Sequence, residues 1–113
     1  MHEVALAEEV LRIVGHEAER HGLSLVTEIG LSIGAWSCVV PEALAFALEA
    51  VLAGSVASGA RLDLETVPGR LRCGECGNEY APEDRYEPCP ACGRFGPQVI
   101  AGNDMIVRRV AGA

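Results

Sequence analysis

Between Val4 and His21 apolar residues return every three or four positions. Leu6, Val10, Leu11, Ile13, Val14 and Ala18 fall on one arc of a helical projection, and Glu8, Arg12, His16 and Glu19 fall on the other. That period predicts an amphipathic helix. Gly22 follows His21 and supplies the left-handed residue on which such helices commonly stop. The period then changes to two. From Ser24 to Gly34, the set Leu25, Thr27, Ile29, Leu31 and Ile33 alternates with Ser24, Val26, Glu28, Gly30 and Ser32. The expectation is a strand with one buried face.

Pro41 suits the first turn of a second helix running to about Ser58 and ended by Gly59, with Leu44, Ala47, Leu48 and Val51 as its inward stripe. Ala60 to Val67 alternates again, Leu62 and Leu64 in, Asp63 and Glu65 out, until Pro68-Gly69 closes the strand. Near the end, Val99-Ile100 and Met105 to Val110 read as strands around a Gly102-Asn103-Asp104 turn. The last strand is expected to rejoin the main sheet. Residues 70–98 would then be an excursion between two neighbouring antiparallel strands of an α/β domain.

Composition changes sharply over 70–98. The stretch is rich in Cys, Gly and Pro and poor in long aliphatics, so it cannot bury a core of its own. Something else must hold it together. Over the whole chain half the residues are hydrophobic but only 4% are aromatic, so the main core must be aliphatic. The net charge of −7 argues against binding nucleic acid or an anionic membrane surface, both of which need basic patches. No apolar run reaches the roughly 18–20 residues of a membrane span. The N-terminus lacks the basic and apolar regions of a signal peptide. A cytoplasmic protein is expected, and in that reducing compartment its five cysteines should not form a disulfide framework.

Four of those cysteines have the spacing of a metal site: Cys73-Gly74-Glu75-Cys76, twelve residues, then Cys89-Pro90-Ala91-Cys92. Each C-x₂-C pair can wrap a turn that points two thiolates at one ion, and Gly77 and Gly93 follow where the turn tightens. Four thiolates at about 2.3 Å make a closed tetrahedral zinc site. A rubredoxin-like iron site and a dithiol redox pair are the alternatives. Iron sites of that kind sit in compact aromatic cores, whereas only Tyr80, Tyr86 and Phe95 are nearby. A redox pair would be expected at a helix start. A closed site has no open coordination position, so it stabilises rather than catalyses. Cys38 stands apart and is expected to pack as a small buried residue.

The chain opens Met1-His2-Glu3. An α-amine is partly deprotonated at neutral pH, and imidazole suits nickel, copper or zinc. Amine, backbone nitrogen and imidazole could enclose one ion in fused chelate rings, a planar nitrogen set suited to Ni(II) or Cu(II). Glu3 could add a backbone nitrogen or a carboxylate. Taken alone, these three residues read as an ordinary solvated terminus rather than a metal site. His16 on the polar arc and His21 at the helix end, near the dipole, have ordinary explanations. No phosphate loop and no nucleophile paired with a base is present, so the chain is not expected to be an enzyme.

The parts in order are more specific than any one of them. Met1-His2-Glu3, a helix, "EIGLSIGAWSCV", "PEALAFALEAVLAGSVASGARLDLE", the paired knuckles and the closing "VRRV" resemble the HypA/HybF family of hydrogenase nickel-incorporation proteins over essentially the whole chain. The resemblance implies an α/β (α+β) fold, a small mixed sheet with two helices plus an inserted zinc-ribbon-like four-cysteine module. Residues 1–69 and 101–113 would form the nickel-binding domain and 70–100 the inserted zinc-binding domain. It implies a nickel metallochaperone for [NiFe]-hydrogenase maturation. Ni²⁺ is its transient cargo at His2, helped by Met1 and Glu3. Zn²⁺ is structural, at Cys73, Cys76, Cys89 and Cys92. The implied partners are a HypB-type GTPase and the hydrogenase large-subunit precursor. Urease maturation proteins are further candidates, and monomer and homodimer both stay open. The sequence departs from many members just before the second helix, where an acidic residue is common and Val40 stands here. Val40 can neither coordinate a metal nor cap a helix, so any carboxylate contribution must come from Glu3 or Glu42 or be absent, which leaves more to Glu3. The competing reading is a zinc-ribbon protein-interaction adaptor with an inert N-terminus.

Overall fold

The computed structural model describes residues 2–113. The first helix, α1, spans His2–Arg20. It begins two residues before the apolar period does, so His2 and Glu3 lie in its first turn. Ala7, Val10, Val14 and Ala18 are its buried positions, while Leu6 and Leu11 pack at the margin. The end is set by Gly22 at φ 66. Leu23 N–H donates to Ala18 O at 2.8 Å and Gly22 N–H to Glu19 O at 3.3 Å. Those two bonds satisfy last-turn carbonyls, which is why the helix stops there.

Strand β1 follows at Val26–Gly34. Its alternation is out of phase with expectation at the start. Leu25, expected inward, is 49% exposed, and Val26, expected outward, is buried. The cause is a bulge between Val26 and Glu28 against the last strand, which shifts the parity of every residue before it. Beyond the bulge both faces are covered, not one. Ile29, Leu31 and Ile33 face the helices and are fully buried. Gly30, Ser32 and Gly34 lie under Arg109, Arg108 and Gly102. A Cβ on Gly30 would sit 3.2 Å from Arg109 Nη1, and Arg108 Nη1 donates to Ser32 Oγ at 3.2 Å. Small residues on this face make room for two arginine stems.

Helix α2, Pro41–Leu52, is shorter than its composition predicts. Ser55 is the reason. Its N–H and Oγ–H both donate to Leu52 O, and its Oγ accepts Ala57 N–H. This local bonding competes with the next helical turn. Leu44, Ala47, Leu48 and Leu52 close the core, and Leu52 takes the place expected for Val51. Each large aliphatic so buried contributes about 1.5–3 kcal/mol.

Strand β2, Arg61–Val67, pairs parallel to β1. Strands β3 (Arg70–Arg72), β4 (Glu79–Tyr80) and β5 (Gln98–Ala101) form a separate sheet in the order β4-β3-β5. The last strand, β6 (Met105–Gly112), returns antiparallel to β1. The main sheet therefore has the order β2-β1-β6. The strands flanking the cysteine-rich stretch are thus the two edges of the sheet and not neighbours, contrary to expectation. The crossover through α2 lays β2 on one side of β1, and only the other side remains for β6. Among the described residues no helix is long and apolar enough to cross a membrane.

Candidate metal centres

The four spaced cysteines converge. Their Sγ atoms all lie within 4.8 Å of one another, the only such metal-ligating group among the described residues. Cys73 Sγ is 3.5 Å from Cys92 Sγ, and Cys76 Sγ is 3.6 Å from Cys89 Sγ. A tetrahedral zinc with bonds of about 2.3 Å has an S···S edge of about 3.8 Å. The cluster fits that ion in size and donor type.

Each knuckle repeats the same local bonds. Gly77 N–H donates to Cys73 O at 3.0 Å, and Gly93 N–H to Cys89 O at 2.7 Å. Cys73 N–H donates to Asn78 O, and Cys89 N–H to Arg94 O, both at 2.9 Å. Gly77 and Gly93 adopt φ 74 and 77, so glycine is required where each knuckle turns back. The first cysteine of each pair is buried and the second exposed.

Backbone N–H groups then point at the sulfurs. Those of Cys76 and Glu75 hold the Cys73 thiol below the ordinary thiol range. Burial opposes ionisation of Cys89, yet the N–H groups of Cys92 and Ala91 outweigh it and bring that thiol down to about 6. The N–H of Asn78 pulls Cys76 down, but the adjacent Cys89 sulfur and burial leave it raised. The N–H of Arg94 pulls Cys92 down, but the sulfur of Cys73 and burial push it up to about 12. Four sulfurs this close cannot all ionise without a cation, and this is the electrostatic form of a metal site. Asn78 Nδ2 lies 3.7 Å from Cys89 Sγ. Sequence reasoning missed this donor, although its place two residues after Cys76 is a readable signal.

At the N-terminus, Met1 lies outside the described residues. His2 Nδ1 stands 3.4 Å from Glu3 Oε2, and their side chains are 53% and 21% exposed. Glu3 is held below the ordinary glutamate range, chiefly by its own backbone N–H and further by that of Val40. Val40 acts on Glu3 only through its backbone and offers no second carboxylate. Val40 occupies the N-cap of α2 with φ −90 and ψ 112 and makes no side-chain cap bond. Cys38, expected to be buried, is exposed and stands at φ 64. It is the only non-glycine with positive φ among the described residues, and the turn it makes directs its side chain to solvent. His16 and His21 are exposed, and His21 Nε2 lies 3.2 Å from Glu17 Oε2.

A family model described as hydrogenase/urease nickel incorporation, metallochaperone, hypA, matches residues 1–112. The chain is 44% identical over 108 residues to a hydrogenase maturation factor HypA of Cereibacter sphaeroides, covering 96% of both chains. It is 44% identical over 110 residues to hydrogenase maturation factor HypA 2 of Bradyrhizobium diazoefficiens, covering 97% of both. In fold it resembles the solution structure of the Ni metallochaperone HypA from Helicobacter pylori, with TM-score 0.76 and 20% identity, covering 96% of this chain and 94% of that one.

Proposed function

This chain belongs to the HypA family of hydrogenase and urease nickel-incorporation metallochaperones, and from that premise we propose that it carries Ni(II) at the first turn of α1. His2 supplies the imidazole, Met1 its α-amine, and Glu3 a backbone nitrogen or its carboxylate. The observation that carries the reading is the pairing of exposed His2 with the largely covered Glu3 at the start of a helix, in a chain the family matches end to end.

The placement suits reversible binding. The first four N–H groups of a helix have no intrahelical acceptor, so a metal that displaces amide protons there breaks no helical bond. The positive end of the helix dipole works against a cation, and the Glu3 carboxylate offsets it. Binding requires amine, amide and imidazole to lose protons, so affinity falls in acid. Release needs only the first turn to fray, and fraying ends are the least stable part of a fold.

The four cysteines hold a structural zinc ion, which fixes the paths of two loops. They place no open coordination position near the cargo. Residues 1–69 and 101–113 act as the nickel domain and 70–100 as the zinc domain. The chain serves hydrogenase maturation by binding and release, without a catalytic step, in the cytoplasm. Its partners are a HypB-type GTPase and the hydrogenase large-subunit precursor. Tyr86 and Phe95, 75% and 77% exposed on the cysteine-rich side, are available for such contacts. The nickel-to-protein ratio after dialysis separates this reading from the zinc-ribbon adaptor. A metallochaperone retains stoichiometric nickel alongside zinc, whereas an adaptor retains zinc alone.

A further inference from the structure

Three stretches of backbone cross where β1 ends and where the chain enters and leaves the β4-β3-β5 sheet. Gly34 N–H donates to Asp104 O at 2.9 Å, Ala35 N–H to Val67 O at 2.8 Å, and Trp36 N–H to Gly102 O at 2.8 Å. The approach leaves no room for side chains. A Cβ on Gly34 would lie 2.2 Å from Gly102 O, and one on Gly102 would lie 2.5 Å from Gly69 Cα. Both connections to the cysteine-rich module therefore leave the main sheet at one point, and the two sheets share no strand. Among the described residues, none from 70–101 packs in the main core. Two connections through glycines make a hinge, since glycine backbone turns easily. Parts of a chain that lack a large apolar interface move relative to each other by default.

A side chain closes this hinge. A Cβ on Gly69 would lie 2.3 Å from the ring of Trp36, so the indole sits directly on the Gly69 backbone. Its Nε1–H donates to Glu83 O at 3.2 Å. Arg85 Nη1 donates to Asn103 Oδ1 at 3.1 Å, in the turn that leads back to β6. Among the described residues these are the two side-chain hydrogen bonds that join 70–101 to the rest. Glu83 and Arg85 both lie between the knuckles. Cys76 Sγ and Cys89 Sγ, 3.6 Å apart, close the ends of that loop. Within it, Tyr86 N–H donates to Asp84 Oδ1 at 2.8 Å and Tyr80 Oη–H to Glu87 O at 2.9 Å. Parted knuckles would free both ends of the loop and carry Glu83 O away from the indole.

We propose that Trp36 is a latch between the two parts of the chain: its indole, seated on Gly69 and bonded to Glu83, fixes the angle of the 70–101 module against the main sheet, and it engages only while the two knuckles are closed. The packed ring carries the latch. The two hydrogen bonds orient it, because exposed bonds add little net free energy of their own. The latch also fixes where Tyr86, which projects from the same loop, stands relative to α1 and α2. It rests on the division of the chain into two parts and makes no use of the N-terminal nickel ligands. A tryptophan that served stability alone would leave the angle between the sheets as it is.

The test uses the zinc-loaded full chain and its Trp36→Ala and Trp36→Leu variants, without nickel. Residual dipolar couplings of the backbone amides give the orientation of the β2-β1-β6 sheet and of the β4-β3-β5 sheet separately. In the native chain one alignment describes both sheets. In Trp36→Ala each sheet keeps its own fold and zinc stays at the native content, but the two sheets no longer share an alignment. A shared alignment in Trp36→Ala overturns the latch. If that variant does not fold, Trp36→Leu, which loses the ring and the bond but keeps an apolar side chain, decides in the same way. Trp36 is the chain's only tryptophan, so its emission reads the latch directly. On zinc removal from the native chain the emission shifts to the red, and it returns when zinc is restored. Emission that ignores zinc overturns the dependence on closed knuckles. Neither readout involves nickel, so failure of the latch and failure of the N-terminal site are told apart.

Discussion

Cys73 Sγ lies 3.5 Å from Cys92 Sγ, so the first thiolate of one knuckle meets the second of the other across 19 residues of chain. The cross-pairing means that neither loop is complete without the other. Leu71 is the one fully buried aliphatic side chain between Arg70 and Ala101 among the described residues. The β4-β3-β5 sheet therefore has almost no core besides its sulfurs.

Metal removal should accordingly unfold the 70–101 module and spare the rest of the chain. Zinc binding to such a module is worth on the order of 10 kcal/mol. With a strong chelator, or in Cys73→Ser, amide protection is expected to vanish from Arg70 to Ala101 while β1 and the helices stay protected. Hydrogen exchange reads this directly. Uniform loss of protection, or none, would count against the module's dependence on metal.

Glu79 gives a pH-dependent contact within that module. Its carboxylate accepts from Arg72 Nη2 at 2.8 Å and from Arg70 Nη2 at 3.2 Å, and Arg72 first, then Arg70, hold it below the ordinary 4.5. A depressed carboxyl contributes stability above its unfolded value, and the contribution is lost as pH falls through the lower folded value. The Glu79 carboxyl resonance should titrate below the ordinary glutamate range in the native protein and move back up in Arg72→Ala. Because the pair is exposed, the effect on stability is small.

The uncapped start of α2 leaves stability to be gained. Val40 already has the extended conformation of an N-cap, so Val40→Asn should stabilise the fold by about 1 kcal/mol. Val40→Asp should gain less, since its charge would sit beside Glu3. Thermal denaturation of the two variants orders them, and equal gains would mean that the two carboxylates do not feel each other.

Gly34 admits no side chain. Its added Cβ would meet backbone atoms of Gly102 rather than the flexible end of a side chain. Gly34→Ala should cost about 1–3 kcal/mol, the range for overpacking a site that cannot relax. Gly15, where an added Cβ would meet nothing within 4 Å, is the control, and Gly15→Ala should be neutral or stabilising.

Much of this was legible in the sequence. The 3.6-residue period located α1, and the C-x₂-C spacing named all four converging sulfurs, because both signals are local. The errors came where distant residues decide. The phase of Val26 is set by a bulge against β6, and the burial of Ser32 by an arginine 76 residues away. The placement of β2 and β6 on opposite sides of β1 depends on the crossover through α2, which strand patterns do not encode. Cys38 looked like a core residue by type, but its positive φ is imposed by Ser37 bonding back to Gly34. The crossing of Gly34, Gly69 and Gly102 under Trp36 had no sequence signal beyond the glycines themselves.

The central claim is that the first turn of α1, with a free Met1 amine, is the nickel site. The most direct measurement is nickel affinity of the native, untagged chain beside His2→Ala and beside a chain with residues added before Met1. Native protein should bind nickel stoichiometrically, and both variants should bind at least about tenfold more weakly with zinc still in place. If both variants bind nickel as tightly as the native chain, the N-terminal site is wrong.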